Sequence, residues 1–236
     1  IPGTYLDKNV KLQYTSLNLN FSLRKWAIRP FYNAYNGLLI PENPRQRDFR
    51  PVRDILFKDA GMDVYYFIHT RRFSIKAANS FTEMQVKTAG SVFIKCSPMW
   101  QKISWRDPSR DVITDSTTFK LLSYNPEWFS FIVRAGYTYS ISLKKGKWII
   151  TPTVILGAGA LKEINTGINH LQLVTDMQAS LRAGRNGKTY YYYINARWGN
   201  LLTNLFIKNM SQENSNISIT FGRRFGNLKN KIFGIL

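Results

Sequence analysis

The residues from Phe129 to Leu143 alternate between apolar and polar side chains with a period of two. Every odd position is apolar or aromatic, and every even position except Ile132 is polar or small. Side chains of a β-strand point alternately to the two faces of a sheet. About ten residues of a tilted strand cross the hydrocarbon layer of a bilayer. The segment therefore predicts one long strand that is able to span a membrane.

The polar face of this strand indicates which face is turned outward. A soluble sheet packed on a core shows the same period, but its water-facing surface usually carries Lys and Glu. Here the even positions are mostly small and uncharged, including Ser130, Thr138, Ser140 and Ser142. This composition is typical of a filled barrel lumen. We therefore expect the apolar face to point outward, toward lipid.

The same alternation recurs along the chain and predicts an all-β fold. Glycine-containing turns at 144–146 and 185–187 favour tight hairpins between neighbouring strands. We predict one membrane-spanning, antiparallel, up-and-down β-barrel over residues 1–236, with about ten strands, or twelve if an amino-terminal hairpin lacks a clear pattern. The predicted strands cover 17–23, 26–32, 62–68, 73–77, 92–100, 129–143, 148–158, 171–181, 190–198 and 217–225.

Composition is compatible with this fold. The chain has 44% hydrophobic residues, its mean hydropathy is -0.25, and it contains no apolar run long enough for a membrane helix. It begins Ile-Pro-Gly, so we expect a mature or trimmed form. The single Cys96 excludes an internal disulfide and is expected on the lipid-facing side of its strand.

Basic residues dominate the charged side chains. Lys and Arg number 33 against 14 Asp and Glu, a formal charge of +19, which implies an anionic partner. Nucleic acid is not the expected partner, because the aromatic residues lie on the apolar strand faces and are not interleaved with the basic ones, although the charge leaves a soluble nucleic-acid-binding β protein as an alternative. Lipid phosphates or a phosphorylated glycolipid would bind at the strand ends, although a solvated rim explains the same pattern. These rim cations are Arg24, Lys25, Arg71, Arg72, Lys144, Lys145, Lys147, Arg185 and Lys188.

Several charged residues occupy positions that the alternation turns inward. Charges inside a narrow barrel are expected to pair or to be hydrated, so we predict a lumen network in which Asp63 and Asp176 are shared among Lys and Arg. The network is expected to plug the barrel, and a narrow anion-selective path is the alternative. The predicted members are Asp63, Lys76, Lys95, Arg134, Asp176, Arg182 and Arg197.

The connections between strands suggest where other molecules bind. Residues 38–60 form an unusually long predicted periplasmic connection that is rich in Arg and Pro. It is either a partner-docking loop, with Arg45, Arg47, Arg50 and Arg53 as its binding residues, or a stretch in which the strand count is wrong. The remaining long connections, 103–127, 161–169 and 207–215, are expected on the outer side. Other outer-membrane or periplasmic proteins are the expected partners.

Catalytic chemistry is sparse in this sequence. No nucleophile elbow, metal-ligand spacing or phosphate-binding loop is present, so we predict a protein that is not an enzyme and needs no cofactor. The alternative is an outer-membrane enzyme with a rim active site, in which a histidine is oriented by a carboxylate. Its candidate residues are His69, His170, Asp107, Asp111, Asp115 and Glu163.

The segment from Phe73 to Phe93 resembles a known family. Gln85, Val86, Lys87, Thr88, Ala89, Gly90 and Ser91 are similar to a Gln-Lys-Lys-Ser-Ala-Gly-Ser-like motif of an uncharacterised outer-membrane β-barrel family of Bacteroidetes, although Val86 and Thr88 depart from it. The hairpin that begins at Gly136 also resembles this family. The resemblance implies an outer-membrane barrel without an established activity.

These observations lead to one functional hypothesis. We expect a non-enzymatic β-barrel, integral to the outer membrane of a Gram-negative cell, that acts as an accessory or scaffold subunit of a larger envelope complex. The filled lumen and the Arg-rich connection both favour this hypothesis over the narrow channel and the rim enzyme.

Overall fold

The computed structural model describes residues 13–23, 25–41, 49–68, 73–81, 83–106, 116–165, 170–187, 189–205, 207 and 209–223. Within this part of the chain, ten strands and two short helices form. They are β1 (Gln13–Asn18), β2 (Phe21–Ser22), β3 (Trp26–Pro41), β4 (Phe49–Phe67), α1 (Ile75–Ser80), β5 (Ala89–Trp105), α2 (Ser116–Ser123), β6 (Glu127–Leu143), β7 (Trp148–Glu163), β8 (Gln172–Asn186), β9 (Tyr190–Asn204) and β10 (Asn209–Arg223).

The strands form one antiparallel sheet in chain order. From β3 onward each strand pairs with the next, and β1 and β2 pair with successive parts of β3. The predicted all-β fold of about ten antiparallel strands is confirmed. The sheet curls into a half-barrel, because residues of both β1 and β10 line one common cavity. The closed barrel is not seen, since the path of pairing in the described residues runs from β1 to β10 without joining them.

The outer, convex face of the sheet carries the apolar side chains. Phe131 is 48% exposed, Tyr137 51%, Val154 49% and Ile194 52%, so these residues do not meet in a common core. On β6 the inward positions from 128 to 140 are buried, as Ser130, Arg134 and Thr138 illustrate. The direction of the alternation in β6, apolar outward and polar inward, is therefore the predicted one.

Two apolar clusters fill the two ends of the interior. At one end, called the α2 end, Leu121 and Leu122 of α2 pack with Trp128, Leu161 and other buried residues. At the opposite α1 end, Ile75 and Ala78 of α1 pack with Phe67, Phe73 and Phe93. Polar side chains occupy the region between these two apolar plugs.

Helix α1 lies where a strand over 73–77 was predicted, and that prediction is wrong. Ser74 caps the helix, because its hydroxyl accepts a hydrogen bond at 3.1 Å from the backbone N–H of Ala77. Ile75, Ala77 and Ala78 are all buried, so apolar residues on both sides of the predicted strand face the interior. A strand cannot bury successive residues on one face, and the short helix does.

Three other predicted boundaries also change. Residues 38–41 and 49–60 belong to strands rather than to a long loop, because β3 and β4 continue to the pair Pro41 and Phe49 after a bulge near Gly37. The predicted outer connection 103–127 contains α2 and the end of β5. The last strand begins at Asn209 rather than at 217, so 207–215 is mostly strand.

Neither helix in the described residues has the length and apolar character needed to cross a membrane.

Candidate functional site: the charged interior of the sheet

Ion pairs link four strands across the middle of the interior. The ammonium group of Lys95 on β5 lies 2.8 Å from a carboxylate oxygen of Asp63 on β4. On β6, Arg134 donates from its Nε to a carboxylate oxygen of Asp176 on β8. The Arg134 and Asp176 side chains are 3% and 2% exposed, so this pair is shielded from bulk water. In the other pair Lys95 is 5% exposed and Asp63 is 18% exposed, so its carboxylate retains some access to water.

Hydrogen bonds from uncharged side chains connect the two ion pairs into one set of residues, called the lumen network. The Ser97 hydroxyl donates to Asp63 and accepts from the Nη1 group of Arg134. The Gln178 amide donates to Asp176 at 2.7 Å. Each buried carboxylate therefore has both a cation and a neutral donor, which is the condition for a stable buried ion pair.

Gly157 on β7 makes the second ion pair possible. In the strand register Gly157 lies between Arg134 and Asp176. A Cβ atom at this position would lie 2.3 Å from Cγ of Arg134 and 2.7 Å from the carbonyl oxygen of Val133. Arg134 therefore crosses β7 over a residue that has no side chain.

Three arginines line the same interior outside the lumen network. Arg29 on β3 donates to Asn20 at 3.2 Å, and its guanidinium lies 4.8 Å from the ring centre of Tyr65. Arg182 on β8 donates to the carbonyl oxygen of Ala78 in α1 and to Asn195 at 3.2 Å. Arg197 on β9 is exposed and also lines the cavity.

The interior cavity is large enough for a small molecule. Its volume is about 800 Å³, and its wall includes Arg29, Arg182 and Arg197. The wall is rich in amide side chains, among them Asn195 and Asn216. Small-molecule sites usually occupy clefts of about 300–1,000 Å³, so this cavity is the candidate functional site of the described part of the chain.

Comparison with known protein families places the chain in one of them. A family model described as a domain of unknown function, DUF4421, matches residues 2–225. The chain belongs to this family. No curated protein and no solved structure matches the chain. The DUF4421 match spans all ten strands and both helices, so the family is defined over the whole curled sheet.

The structure places the predicted lumen residues of this DUF4421 chain at different sites. Asp63, Lys95, Arg134 and Asp176 come together in the lumen network. Arg182 and Arg197 line the cavity without joining that network. Lys76 is not on an inward strand face: it lies on α1, its side chain is 49% exposed, and it pairs with Glu83 at 3.5 Å.

The described rim cations all lie at one end of the DUF4421 sheet. Lys25, Lys144, Lys145, Lys147 and Arg185 are exposed at the α1 end, where the turns between β6 and β7 and between β8 and β9 are found. Lys144 and Lys145 have φ angles of 50° and 57°, and Gly146 at 85° completes the turn. Arg24, Arg71, Arg72 and Lys188 lie outside the described residues.

The structure describes only some of the residues predicted for the docking loop and for the rim active site. Arg50 and Arg53 belong to β4, where Arg50 pairs with Ile40, so they are not loop residues. Arg45 and Arg47 lie outside the described residues, as do His69, Asp107, Asp111 and Asp115. His170 is exposed just before β8, while Glu163 is buried at the end of β7. No group of three or more metal-ligating side chains occurs within the described ranges.

Two side chains of the candidate site in the DUF4421 interior were missed by sequence reasoning. Arg29 follows from the alternation Trp26, Ile28, Pro30 and Tyr32, which turns position 29 inward, so a signal for it was present. Ser97 occupies the inward position next to Lys95 on β5 and was accessible to the same argument. The end plugs had no such signal, because short apolar segments predict strand and helix equally well.

Proposed function

We propose that this protein is an integral β-barrel of a bacterial outer membrane and serves as an accessory or scaffold subunit of an envelope complex. The observation that carries the proposal is the outer face of the sheet, where large apolar side chains are exposed on nearly every strand. Soluble monomers rarely expose apolar patches larger than a few hundred Å². A bilayer supplies the apolar surroundings that this band of outward apolar side chains, called the apolar belt, needs.

Aromatic residues near the α1 end support a membrane boundary there. Trp26 and Tyr66 have ring centres 4.7 Å apart, and those of Trp148 and Tyr192 are 6.1 Å apart, all on the outer face. Aromatic girdles of this kind mark the interfaces of transmembrane barrels. The exposed Lys144, Lys145 and Lys147 lie just beyond these rings, at the level expected for head groups.

A second boundary is indicated at the α2 end. On the outer face, Glu127 accepts hydrogen bonds from Lys102 at 2.7 Å and from the indole N–H of Trp100 at 2.9 Å. Phe129 and Phe131 follow Glu127 on the same face of β6. The apolar belt therefore runs between charged side chains at both ends of the sheet.

The two edges of the sheet need partners in a bilayer. An unpaired backbone polar group in hydrocarbon costs several kcal/mol, and the β1 and β10 edges are not paired with each other in the described residues. The proposal therefore requires closure across this gap, which we call the seam. Outward residues of β10 at the seam, Ile217 and Ile219, are each 77% exposed.

An interior that is plugged at both ends supports an accessory role rather than transport. Apolar plugs occupy both ends, and the lumen network crosses the middle from β4 to β8. A barrel of this size has an interior that side chains can fill. The chain is built to present a stable membrane-embedded surface to other proteins.

The single cysteine provides a direct test of membrane insertion. Cys96 lies near the middle of β5 and on its outer face, opposite Val64 and Val133. In native membranes we expect Cys96 to react at least about a hundredfold more slowly with a charged, water-soluble thiol reagent than after unfolding in detergent, because charged groups are excluded from hydrocarbon.

The matched control carries one cysteine at the α1 end. The variant Lys147→Cys in a Cys96→Ser background places a thiol in an exposed turn, where the same reagent is expected to react fast in intact membranes. Equal rates for Cys96 and for the cysteine at position 147 would show that β5 is not embedded in lipid, and the proposal would fail.

Co-purification tests the accessory role. After extraction with a mild detergent, we expect the tagged chain to elute in a complex larger than the 27.4 kDa monomer, with defined outer-membrane or periplasmic proteins in constant ratio. Recovery as a lone monomer would contradict the subunit role. Steady anion conductance in a planar bilayer would favour the narrow channel instead.

A further inference from the structure

We propose that the interior cavity is a binding site for a phosphate-bearing, hydroxyl-rich molecule such as a sugar phosphate or the head group of a phosphorylated glycolipid. Arg29, Arg182 and Arg197 are the residues that would bind the phosphate. The inference goes beyond the accessory role and does not depend on it, because it rests on the cavity alone.

The charge of the cavity wall is unbalanced. Five cationic side chains line the cavity, against the carboxylates of Asp59, Asp63 and Asp176. Lys95 pairs with Asp63 and Arg134 pairs with Asp176, so three cations and the single carboxylate of Asp59 remain on the wall. Among the described residues, no ion pair links the remaining three cations, Arg29, Arg182 and Arg197, to a carboxylate.

Neutral groups hold two of these arginines in place. Arg182 is fixed by the carbonyl of Ala78, by Asn195 and by the Tyr193 ring, whose centre lies 5.4 Å from the guanidinium carbon. Its Nε group is buried and has no hydrogen-bond partner in the structure. A buried donor without a partner is unfavourable, so the guanidinium of Arg182 is not fully satisfied by the neutral groups around it.

Arg29 and Arg197 approach the same space from other strands. Arg29 is held by Asn20 and by the ring and hydroxyl of Tyr65, with an Nη1 to hydroxyl distance of 3.5 Å. Arg197 lies in register with Asn216 on the edge strand β10. The three side chains therefore come from β3, β8 and β9, on both sides of the seam.

Phosphate matches this arrangement better than a simple carboxylate does. A guanidinium group presents a planar fork of donors that fits phosphate oxygens. A phosphate monoester carries roughly −1.5 to −2 charges at neutral pH, whereas a carboxylate supplies a single charge to three arginines. The amide side chains of Asn195 and Asn216 on the wall offer both donors and acceptors to hydroxyl groups.

Calorimetric titration of the purified, detergent-solubilised chain in phosphate-free buffer tests the site. The probes are glucose 1-phosphate, glucose, and mixed micelles that contain a phosphorylated disaccharide glycolipid or its dephosphorylated form. We expect at least one of the two phosphorylated probes to bind and neither of the two unphosphorylated probes to do so. Binding of glucose 1-phosphate indicates a soluble ligand, and binding of the glycolipid alone indicates entry of a head group.

Two variants locate the binding. Arg197→Gln and Arg29→Gln are each expected to weaken binding of the phosphorylated probe at least about tenfold, because each removes a charged hydrogen-bond donor. The matched control is Arg106→Gln, an exposed arginine at the α2 end, which is expected to bind as the unchanged chain does. Unfolding midpoints of all three variants establish that each is folded.

Two results would overturn the inference. One is the absence of binding by either phosphorylated probe to the folded protein. The other is binding that Arg197→Gln and Arg29→Gln leave unchanged. Either result leaves the membrane proposal intact, since the Cys96 experiment tests that independently.

Discussion

Gly157 shows how one residue without a side chain controls a buried charge pair. Arg134 and Asp176 lie on strands that are not neighbours, and the backbone of β7 runs between them. The guanidinium reaches Asp176 because nothing projects from Gly157 into its path. Strand interiors usually disfavour glycine, and its presence often marks a close approach.

We expect Gly157→Ala to destabilise the protein by about 3–5 kcal/mol, the cost of breaking a buried ion pair. The new Cβ would displace Arg134 and leave Asp176 without its cation. Urea unfolding in detergent micelles measures the loss. The matched control is Gly199→Ala, since a Cβ there meets its nearest atom, Cγ of Gln178, at 3.4 Å. If Gly157→Ala unfolded at the same urea concentration as the unchanged chain, the lumen network would not need this glycine.

At the scale of elements, the short helix α1 depends on the sheet for its stability. An isolated helix of six residues is not stable in water. Its position is fixed by Ser74 at the amino end and by Phe81 at the carboxyl end, where Phe81 is fully buried and its ring centre lies 4.7 Å from that of Tyr193. Arg182 adds a hydrogen bond to the Ala78 carbonyl.

We expect Phe81→Ala to release α1 from the interior. Loss of a buried Phe side chain costs about 3–5 kcal/mol, and hydrogen exchange at the amides of 75–80 is expected to rise about 100-fold or more, at tenfold for every 1.4 kcal/mol. Val86→Ala is the control, because Val86 is exposed near the same end. Unchanged exchange at 75–80 in Phe81→Ala would contradict this role for Phe81.

The strands and helices differ in how far the sequence predicts them. Strands β6 to β9 follow from an alternation with few exceptions, because the outer and inner faces favour opposite kinds of side chain. The extension of β3 and β4 was missed, since Pro41, Pro44 and Pro51 interrupt the pattern. Helix α1 was missed because Phe73, Ile75 and Ala77 alternate like a strand, while the burial of Ala78 depends on the rest of the fold.

At the scale of the whole molecule, the curled sheet and the polar middle of its interior were predictable, and the end plugs and the seam were not. Inward charges such as Asp63 and Arg134 follow from their positions in alternating strands. Which cation pairs with which carboxylate depends on register and on Gly157, which local pattern does not specify. For example, local pattern does not specify that Asp63 pairs with Lys95, nor that the Arg29 guanidinium lies over the ring of Tyr65 instead.

The α1 end of the molecule is strongly positive, because it carries the exposed Lys25, Lys144, Lys145, Lys147 and Arg185. Glu83 is the acidic side chain among the described residues at that end, whereas at the other end cations such as Arg106 and Lys162 occur together with the carboxylates of Asp54 and Glu127. Copies that share one orientation would present a common positive side. An array of such molecules would therefore attract polyanions to that side.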